Sequence, residues 1–464
     1  MTQSLRRNPN PGKGTSQRAT KLPPGPRGIP GLGIAPQLAR DIYGYLPSVA
    51  RKYGDVARLP VPGQDLILVS HPDHVHHVMT RNSSGYGKGA MNMELIDGED
   101  HAPLPVADGE QWKRMRRLLS PKFTAQSMQE LSDKVVDDII RHLDDTWDPA
   151  AASGRPVDLE DNLATMALSV LLRGACSQQD LDDYTVARLA EEIRSYALYA
   201  GSRMVMHSMP AALPRPFAKR GKAARHYLDE FAVAAINDRI ANPRPDTDMI
   251  SLILDARFED GSPMTVTQLK SELGGLIFGG FETTSSALAW TFTLLAQHPD
   301  VEARARAEVD ALGLLGRKPG YADLAQLPFV RACFDESMRI QGGPMYLREA
   351  LADDEIGGYR IPKGATVIVS PTVLHNDPRF WNAPQRFHPD RFLTDKIDKN
   401  AFIPFNIGQR KCLGYQMAYM EAIFAIALVL GRFRLQLPAG FELRPAFRVS
   451  TGIKGGVAAK ITDR

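Results

Sequence analysis

The segment Phe405-Asn-Ile-Gly408-Gln-Arg410-Lys-Cys412-Leu-Gly414 runs straight into an apolar helical stretch, and no other part of the chain restricts its fold so narrowly. Glycines on either side of a cysteine let the backbone close tightly around sulfur, with main-chain N–H groups aimed at it. The helix that follows brings the positive end of its dipole to the same atom, and both effects favour the thiolate. The pattern therefore predicts a metal-ligating thiolate at Cys412, shielded by Phe405, with Arg410 placed to meet an anionic group. Cys176 and Cys333 fall inside apolar helical patterns and read as core packing. Three cysteines so widely separated make neither a zinc knuckle nor a disulfide framework, and they fit a reducing cytoplasm.

The rest of the chain must build a scaffold around that loop. With 464 residues, 43% hydrophobic and 23% charged, it can bury an extended core. No linker-like stretch after residue 40 divides it, so one domain over residues 22–464 is expected, preceded by a disordered polar tail at 1–21. A net charge of +3 demands neither nucleic acid nor an anionic membrane. Residues 1–20 are polar and basic without an apolar core, which predicts no signal peptide and no transmembrane anchor. The long apolar run Leu273–Ala296 is better read as a buried central helix than as a membrane span. It carries Gly279, Gly280, Glu282 and four hydroxyl residues in succession, Thr283 to Ser286.

Periodicity predicts helices over Gly109–Leu119, Ser127–Trp147, Asp182–Tyr199, Phe217–Ile240, Thr267–Gln297, Val301–Leu312, Phe329–Arg339 and Leu413–Leu430. Leu59–Ser70 reads as a hairpin about Pro62-Gly63, and Tyr359–Ser370 as a second about Pro362-Lys-Gly. The lead-in at Leu22-Pro-Pro-Gly-Pro is extended. The fold class expected is mainly α with small β-sheets.

Further motifs fall at telling distances. Glu336 and Arg339 share a helix face, and Pro384-Gln-Arg-Phe-His-Pro-Asp-Arg391-Phe follows. Trp112 and Arg116 stand one turn apart, and Arg348 lies nine residues after Arg339. Two glycines inside a helix, Gly279 and Gly280, cost about 1 kcal/mol each relative to Ala, so a compensating use is expected. A groove where the Cβ is missing could hold a small ligand such as O2. Together with the Cys412 loop, continued by Ala418 and Glu421, these motifs resemble the cytochrome P-450 superfamily over about residues 22–460.

That resemblance implies a single-domain cytochrome P-450 fold, with the long central helix over a heme. It also implies insertion of one oxygen atom from O2 into a hydrophobic small molecule. The heme would be heme b, with Cys412 as axial ligand and Phe405 beside it, and with Trp112, Arg116, Arg348 and Arg410 toward the propionates. Glu282 and Thr283 would be the acid–alcohol pair. Glu336, Arg339 and Arg391 would brace the heme-side core without touching substrate. Phe278, Gly279, Pro344, Tyr346 and Ile453 would line the substrate pocket, with Tyr86–Leu104 and Met204–Met209 closing it. Terpenoid, polyketide-like and fatty substrates all suit such a pocket. No flavin domain follows the cysteine helix, so NAD(P)H electrons are expected through a ferredoxin or flavodoxin with its reductase. That carrier would be received on a cationic face of Lys113, Arg114, Arg117, Lys122 and Lys411. Two rivals are a peroxide-driven or isomerising relative and a heme-binding sensor or carrier. One departure concerns Ile340-Gln-Gly342-Gly343-Pro344, where the superfamily usually has a hydrophobic residue and a Pro-Pro pair; the glycines predict a roomier or more flexible wall.

Overall fold

The computed structural model describes residues 21–464 except 97–100, 179, 208, 210–212, 244–247, 315 and 449. Apart from Lys21, the expected tail lies outside the described residues. Helices dominate, and the longest, Val266–Gln297, forms the central beam. Its start is fixed locally: the Thr265 side chain accepts from Gln268 N while the Gln268 side chain accepts from Thr265 N. It stops before His298-Pro299, where proline cannot extend the hydrogen-bond ladder. At 1.5 Å per residue its 32 residues span roughly 48 Å. Its second half is buried nearly all round, Leu288, Ala289, Thr291 and Thr293 being fully inaccessible, which is why the sequence looks apolar enough to cross a bilayer. No helix among the described residues is long and apolar enough to do so.

Around this beam pack the helices Leu159–Ser169, Ala218–Ala241, Pro328–Gln341 and Tyr415–Arg432. They share one continuous apolar core that runs from Ile96 to Ile461 and includes Cys176 and Cys333. Both of those thiols are fully buried and pushed up by loss of solvation, Cys176 to about 12 and Cys333 well above the usual thiol range. Two of the longer helices escaped the sequence reading. Ala35–Tyr53 contains Pro36 and Pro47 and is kinked at Asp41, and Leu159–Ser169 continues into a π-helical turn at Val170–Ala175. The predicted helix through Trp147 likewise ends at His142 and finishes as a π turn, Leu143–Trp147.

Beside the helices lies a five-stranded sheet in the order Val56–Val61, Gln64–Val69, Thr366–Val369, Tyr346–Ala350, Tyr86–Gly87. The first hairpin forms as expected, with Val61 opposite Gln64 and Gly63 at φ +76°. The second does not. Tyr359–Ile361 pairs with Asp354–Ile356, whereas Thr366–Val369 joins the large sheet, parallel to Gln64–Val69 and antiparallel to Tyr346–Ala350. The turn at 362–364 therefore passes the chain between sheets, because all four residues Thr366–Val369 are buried and belong in the interior. This sheet carries Tyr346 and Arg348 toward the cysteine loop.

Candidate heme-thiolate site

The loop before Cys412 is shaped by backbone constraints that point one way. Asn406 and Gly408 both adopt left-handed φ, +62° and +69°. A Cβ at Gly408 would lie 2.2 Å from the Met79 carbonyl, so only glycine fits. Cys412 N donates to Phe405 O at 2.8 Å, closing the turn. The Phe405 ring packs on Tyr419 at 5.2 Å and Tyr415 at 6.3 Å, both on the helix Tyr415–Arg432. Cys412 keeps accessible surface although it lies deep in the fold. Burial pushes its thiol up, while the Gly414 amide and the charges of Arg116 and Lys411 pull it down. The helix terminus acts as the sequence suggested, but desolvation outweighs it.

A set of cations gathers beside this loop. The Arg410 guanidinium stacks 3.9 Å from the Trp112 ring centre and donates to Ala107 O at 2.7 Å and to Asp108. Arg348 is 4% exposed; its Nη1 donates to Leu347 O, but its Nη2 is buried without a partner among the described residues. Burial and the neighbouring Arg410 hold Arg348 down at about 10. No acidic side chain pairs with Arg116 among the described residues, and the charge of Cys412 acts on it. Lys88, which the sequence reading missed, completes the cluster. Burial, then Arg348 and Arg410, hold it well below the usual lysine range. Lys88 sits in a Gly-Lys-Gly stretch with no helical or strand period, so only its basic character hinted at a role. Among the described residues Asp108 is the carboxylate that acts on Lys88, Arg348 and Arg410, and an orphaned buried guanidinium N–H calls for an anion. A dianionic heme fits: Cys412 would hold the iron, and Arg116, Arg348, Arg410 and Lys88 the two carboxylates.

Glu336, Arg339 and Arg391 form a wholly buried network. Arg339 donates Nε to Glu336 Oε2 at 2.7 Å and Nη2 to Oε1 at 2.9 Å, and Arg391 Nε reaches Oε1 at 3.0 Å. His388 N adds a fourth donor, and Arg339 Nη1 ties to His375 O. Because Glu336 is the carboxylate bonded to two buried guanidiniums, Glu336→Gln is expected to destabilise the fold by about 3–5 kcal/mol. Denaturant unfolding of the variant measures it, and a change below 1 kcal/mol would contradict the network's role.

On the central helix the glycines divide their work. A Cβ on Gly279 would meet nothing within 4 Å, so an open groove lies there, whereas one on Gly280 would crowd Leu171 at 3.3 Å. Thr283 Oγ1 donates to Gly279 O at 2.8 Å and so sits over that groove. Glu282 is 5% exposed, bonded to Ser450 Oγ at 3.1 Å, and its carboxyl is raised by burial. Adjacent on the helix, the acid and the alcohol point to different sides. Phe278 lines an apolar cavity of about 140 Å³, together with Leu95, Val106, Leu172, Ile193 and Gly275.

Other expected pocket residues lie elsewhere. Ile453 is 1% exposed in the main core, with its amide on Glu160 Oε1, and it is not among the cavity-lining residues. Pro344 is half-buried, just before the strand Tyr346–Ala350. In the stretch Met204–Met209, residue 208 lies outside the described residues; Met204 packs against the small core of Leu59 and Leu68, not the cavity. Gly342 caps its helix at φ +81°, and a Cβ there would lie 2.6 Å from Thr372 Cα. The glycine thus permits a fixed close approach, not a flexible wall. Beside it, Gln341 donates to Ser286 Oγ and Thr451 O.

Tyr346 departs most from its expected role. Its hydroxyl donates to Ile403 O (2.9 Å) and Pro404 O (3.0 Å) and accepts from Asn406 N (2.9 Å). It braces the loop that carries Cys412. Tyr346→Phe leaves those backbone groups unsatisfied at a cost of about 1–3 kcal/mol. The heme-loaded variant should lose part of its thiolate-type CO spectrum on mild heating, where wild type keeps it; equal retention would return Tyr346 to the pocket.

With this geometry in hand, comparison with known proteins is direct. The sequence model of the family described as Cytochrome P450 matches residues 23–453. The chain belongs to that family and is a cytochrome P450 monooxygenase that uses heme. Among its relatives is the cyclooctat-9-en-7-ol 5-monooxygenase of Streptomyces melanosporofaciens, 29% identical over 90% of both chains. The cyclooctatin synthase of the same organism is 28% identical over 92% of both. Human cytochrome P450 4F11 is 27% identical over 86% of this chain and 81% of its own.

Proposed function

We propose that this monooxygenase oxidises an apolar small molecule held in the cavity that ends on Phe278, with Cys412 as the axial ligand of heme b. The supporting observation is the continuity of one helix, which lines that cavity at Gly274, Gly275, Ile277 and Phe278 and then presents the open groove at Gly279 beside Thr283. Heme held by a thiolate supplies O–O bond cleavage, the cytochromes P450 being the type case of that rule. The protein supplies the rest. Phe278 and its neighbours hold the substrate, Thr283 Oγ1 orders a water at the groove, and Glu282 helps connect the site to bulk solvent.

The compound in the name of one relative, cyclooctat-9-en-7-ol, is an unsaturated cyclic alcohol, and a compact apolar ring system suits these walls. We therefore favour a terpenoid-like substrate over polyketide-like or fatty ones. Titrating representatives of all three classes into the ferric protein and reading the low-spin to high-spin shift tests this; a response only to fatty compounds would overturn it.

Electrons would come from NAD(P)H through a ferredoxin or flavodoxin, in the cytoplasm. The cationic face proposed to receive that carrier is partly neutralised. Lys113 pairs with Glu110, Arg114 with Asp260 and Arg117 with Glu259, while Lys411 lies 3.6 Å from the Tyr415 ring centre. Exposed pairs of this kind are weak and exchange readily for a partner's acids.

A further inference from the structure

The cavity that ends on Phe278 is apolar over most of its wall, but one end of it is charged. The central helix lines it with Lys270, Ser271, Gly274, Gly275, Ile277 and Phe278, a single helical face. From its N-terminal end, that face opens with a cation and a hydroxyl and finishes on an aromatic ring next to the open groove at Gly279. The helix Ala218–Ala241 adds Arg225, Leu228, Asp229, Phe231 and Ala232, and the helix Asp183–Val205 adds Tyr196.

Four of these side chains, drawn from three helices, are bonded together. Lys270 Nζ donates to Asp229 Oδ2 at 3.1 Å, and Arg225 Nε donates to Asp229 Oδ1 at 2.8 Å. Arg225 Nη1 donates to the Tyr196 hydroxyl at 3.0 Å, which itself donates to Leu95 O at 2.6 Å. Arg225, Asp229 and Lys270 are the charged side chains of the wall among the described residues, two cations to one carboxylate. They are 19%, 33% and 22% exposed, so the acid reaches furthest toward solvent and the cations lie deeper. Bracing of the helices accounts for each bond but not for the sign. A neutral donor in place of either cation would hold the same partners, whereas surplus positive charge on an apolar wall is costly until an anion meets it.

We propose that this end of the cavity takes the carboxylate of the substrate, an apolar carboxylic acid held by Lys270 and Arg225. Lys270 and Gly279 stand on the same helix at a separation of roughly 13 Å, at 1.5 Å per residue, so the oxidised carbon lies about that far from the carboxyl. Holding one end of a rigid molecule fixes which carbon reaches the groove. Lys270 and Arg225 therefore determine specificity and regiochemistry and take no part in oxygen chemistry. The proposal rests on the reading of this cavity as the substrate site, and it narrows the terpenoid-like class to terpenoid acids.

The test titrates heme-loaded protein with three probes of one ring skeleton, abietic acid, the corresponding primary alcohol and the corresponding hydrocarbon, and reads the low-spin to high-spin shift. Wild type should bind the acid roughly tenfold tighter than the alcohol, the difference expected for hydrogen bonds to a charged group. Lys270→Gln should weaken the acid by a similar factor and leave the hydrocarbon unchanged. Asp229→Asn, which removes the opposing negative charge, should instead tighten the acid. Turnover should place the new oxygen on the ring farthest from the carboxyl. A role confined to bracing would move acid and hydrocarbon together, and in the same direction in both variants; that result would overturn the proposal, as would oxidation beside the carboxyl or equal binding of acid and alcohol by wild type. If none of the three probes shifts the spin state, the cavity itself is lost as the substrate site, and the anchor falls with it.

Discussion

A Cys412→His variant is expected to lose the strongly red-shifted Soret band of the reduced CO complex completely, along with all monooxygenase turnover. Imidazole can occupy an axial position, so the variant should still bind heme through the Arg116, Arg348, Arg410 and Lys88 cluster, which the substitution leaves in place. What disappears is the electron donation of a thiolate. The loop should tolerate the change, because its shape is set by Gly408 against Met79 and by Tyr346, not by the sulfur. Heme content and the CO difference spectrum of the purified variant decide the matter, and a persisting red-shifted band would assign the ligand elsewhere.

Thr283→Ala should leave heme content, the spin shift with substrate and the rate of reductant consumption close to wild type. Product per electron pair should fall by up to about 100-fold, the lower end of what a positioned proton donor contributes, with hydrogen peroxide making up the difference. The hydroxyl donates to Gly279 O beside the open groove, and its loss removes the polar oxygen that would order a water at that point. The variant loses only a bond to a carbonyl already in the helix ladder, so stability should change little. Reductant, peroxide and product measured together give the answer; unchanged coupling would reduce Thr283 to a packing residue.

The sequence displayed those features that are local. The turn that closes Cys412 on Phe405, the capped central helix and the Glu336–Arg339 pair all join residues a few positions apart, so spacing alone carries them. Hidden from it were contacts between distant segments. Thr366–Val369 reads as half a hairpin because nothing nearby reveals its parallel partner in Gln64–Val69. Glu160 meets Arg448 across 288 positions, and neither residue has a pattern around it that marks the meeting. Tyr346 could be placed beside the heme but not aimed, since the direction of its hydroxyl depends on the carbonyls of Ile403 and Pro404. Ile453 looked like pocket wall for the same reason, until Glu160 fixed its amide in the core.

The anchoring of the cysteine loop also dictates when during synthesis the cofactor can enter. Arg410 closes on Ala107 across 303 positions, and Gly408 seats on Met79 from a comparable distance. Contacts of such separation form late, after the entropy of closing a very long loop has been met. A ribosome-bound chain that has emerged only as far as the central helix has the groove and Arg116 but no sulfur ligand and no seat for one. Cofactor capture therefore waits until the Cys412 loop has been made and has seated on Met79 and Ala107, and heme supplied before that point of elongation would find no sulfur ligand.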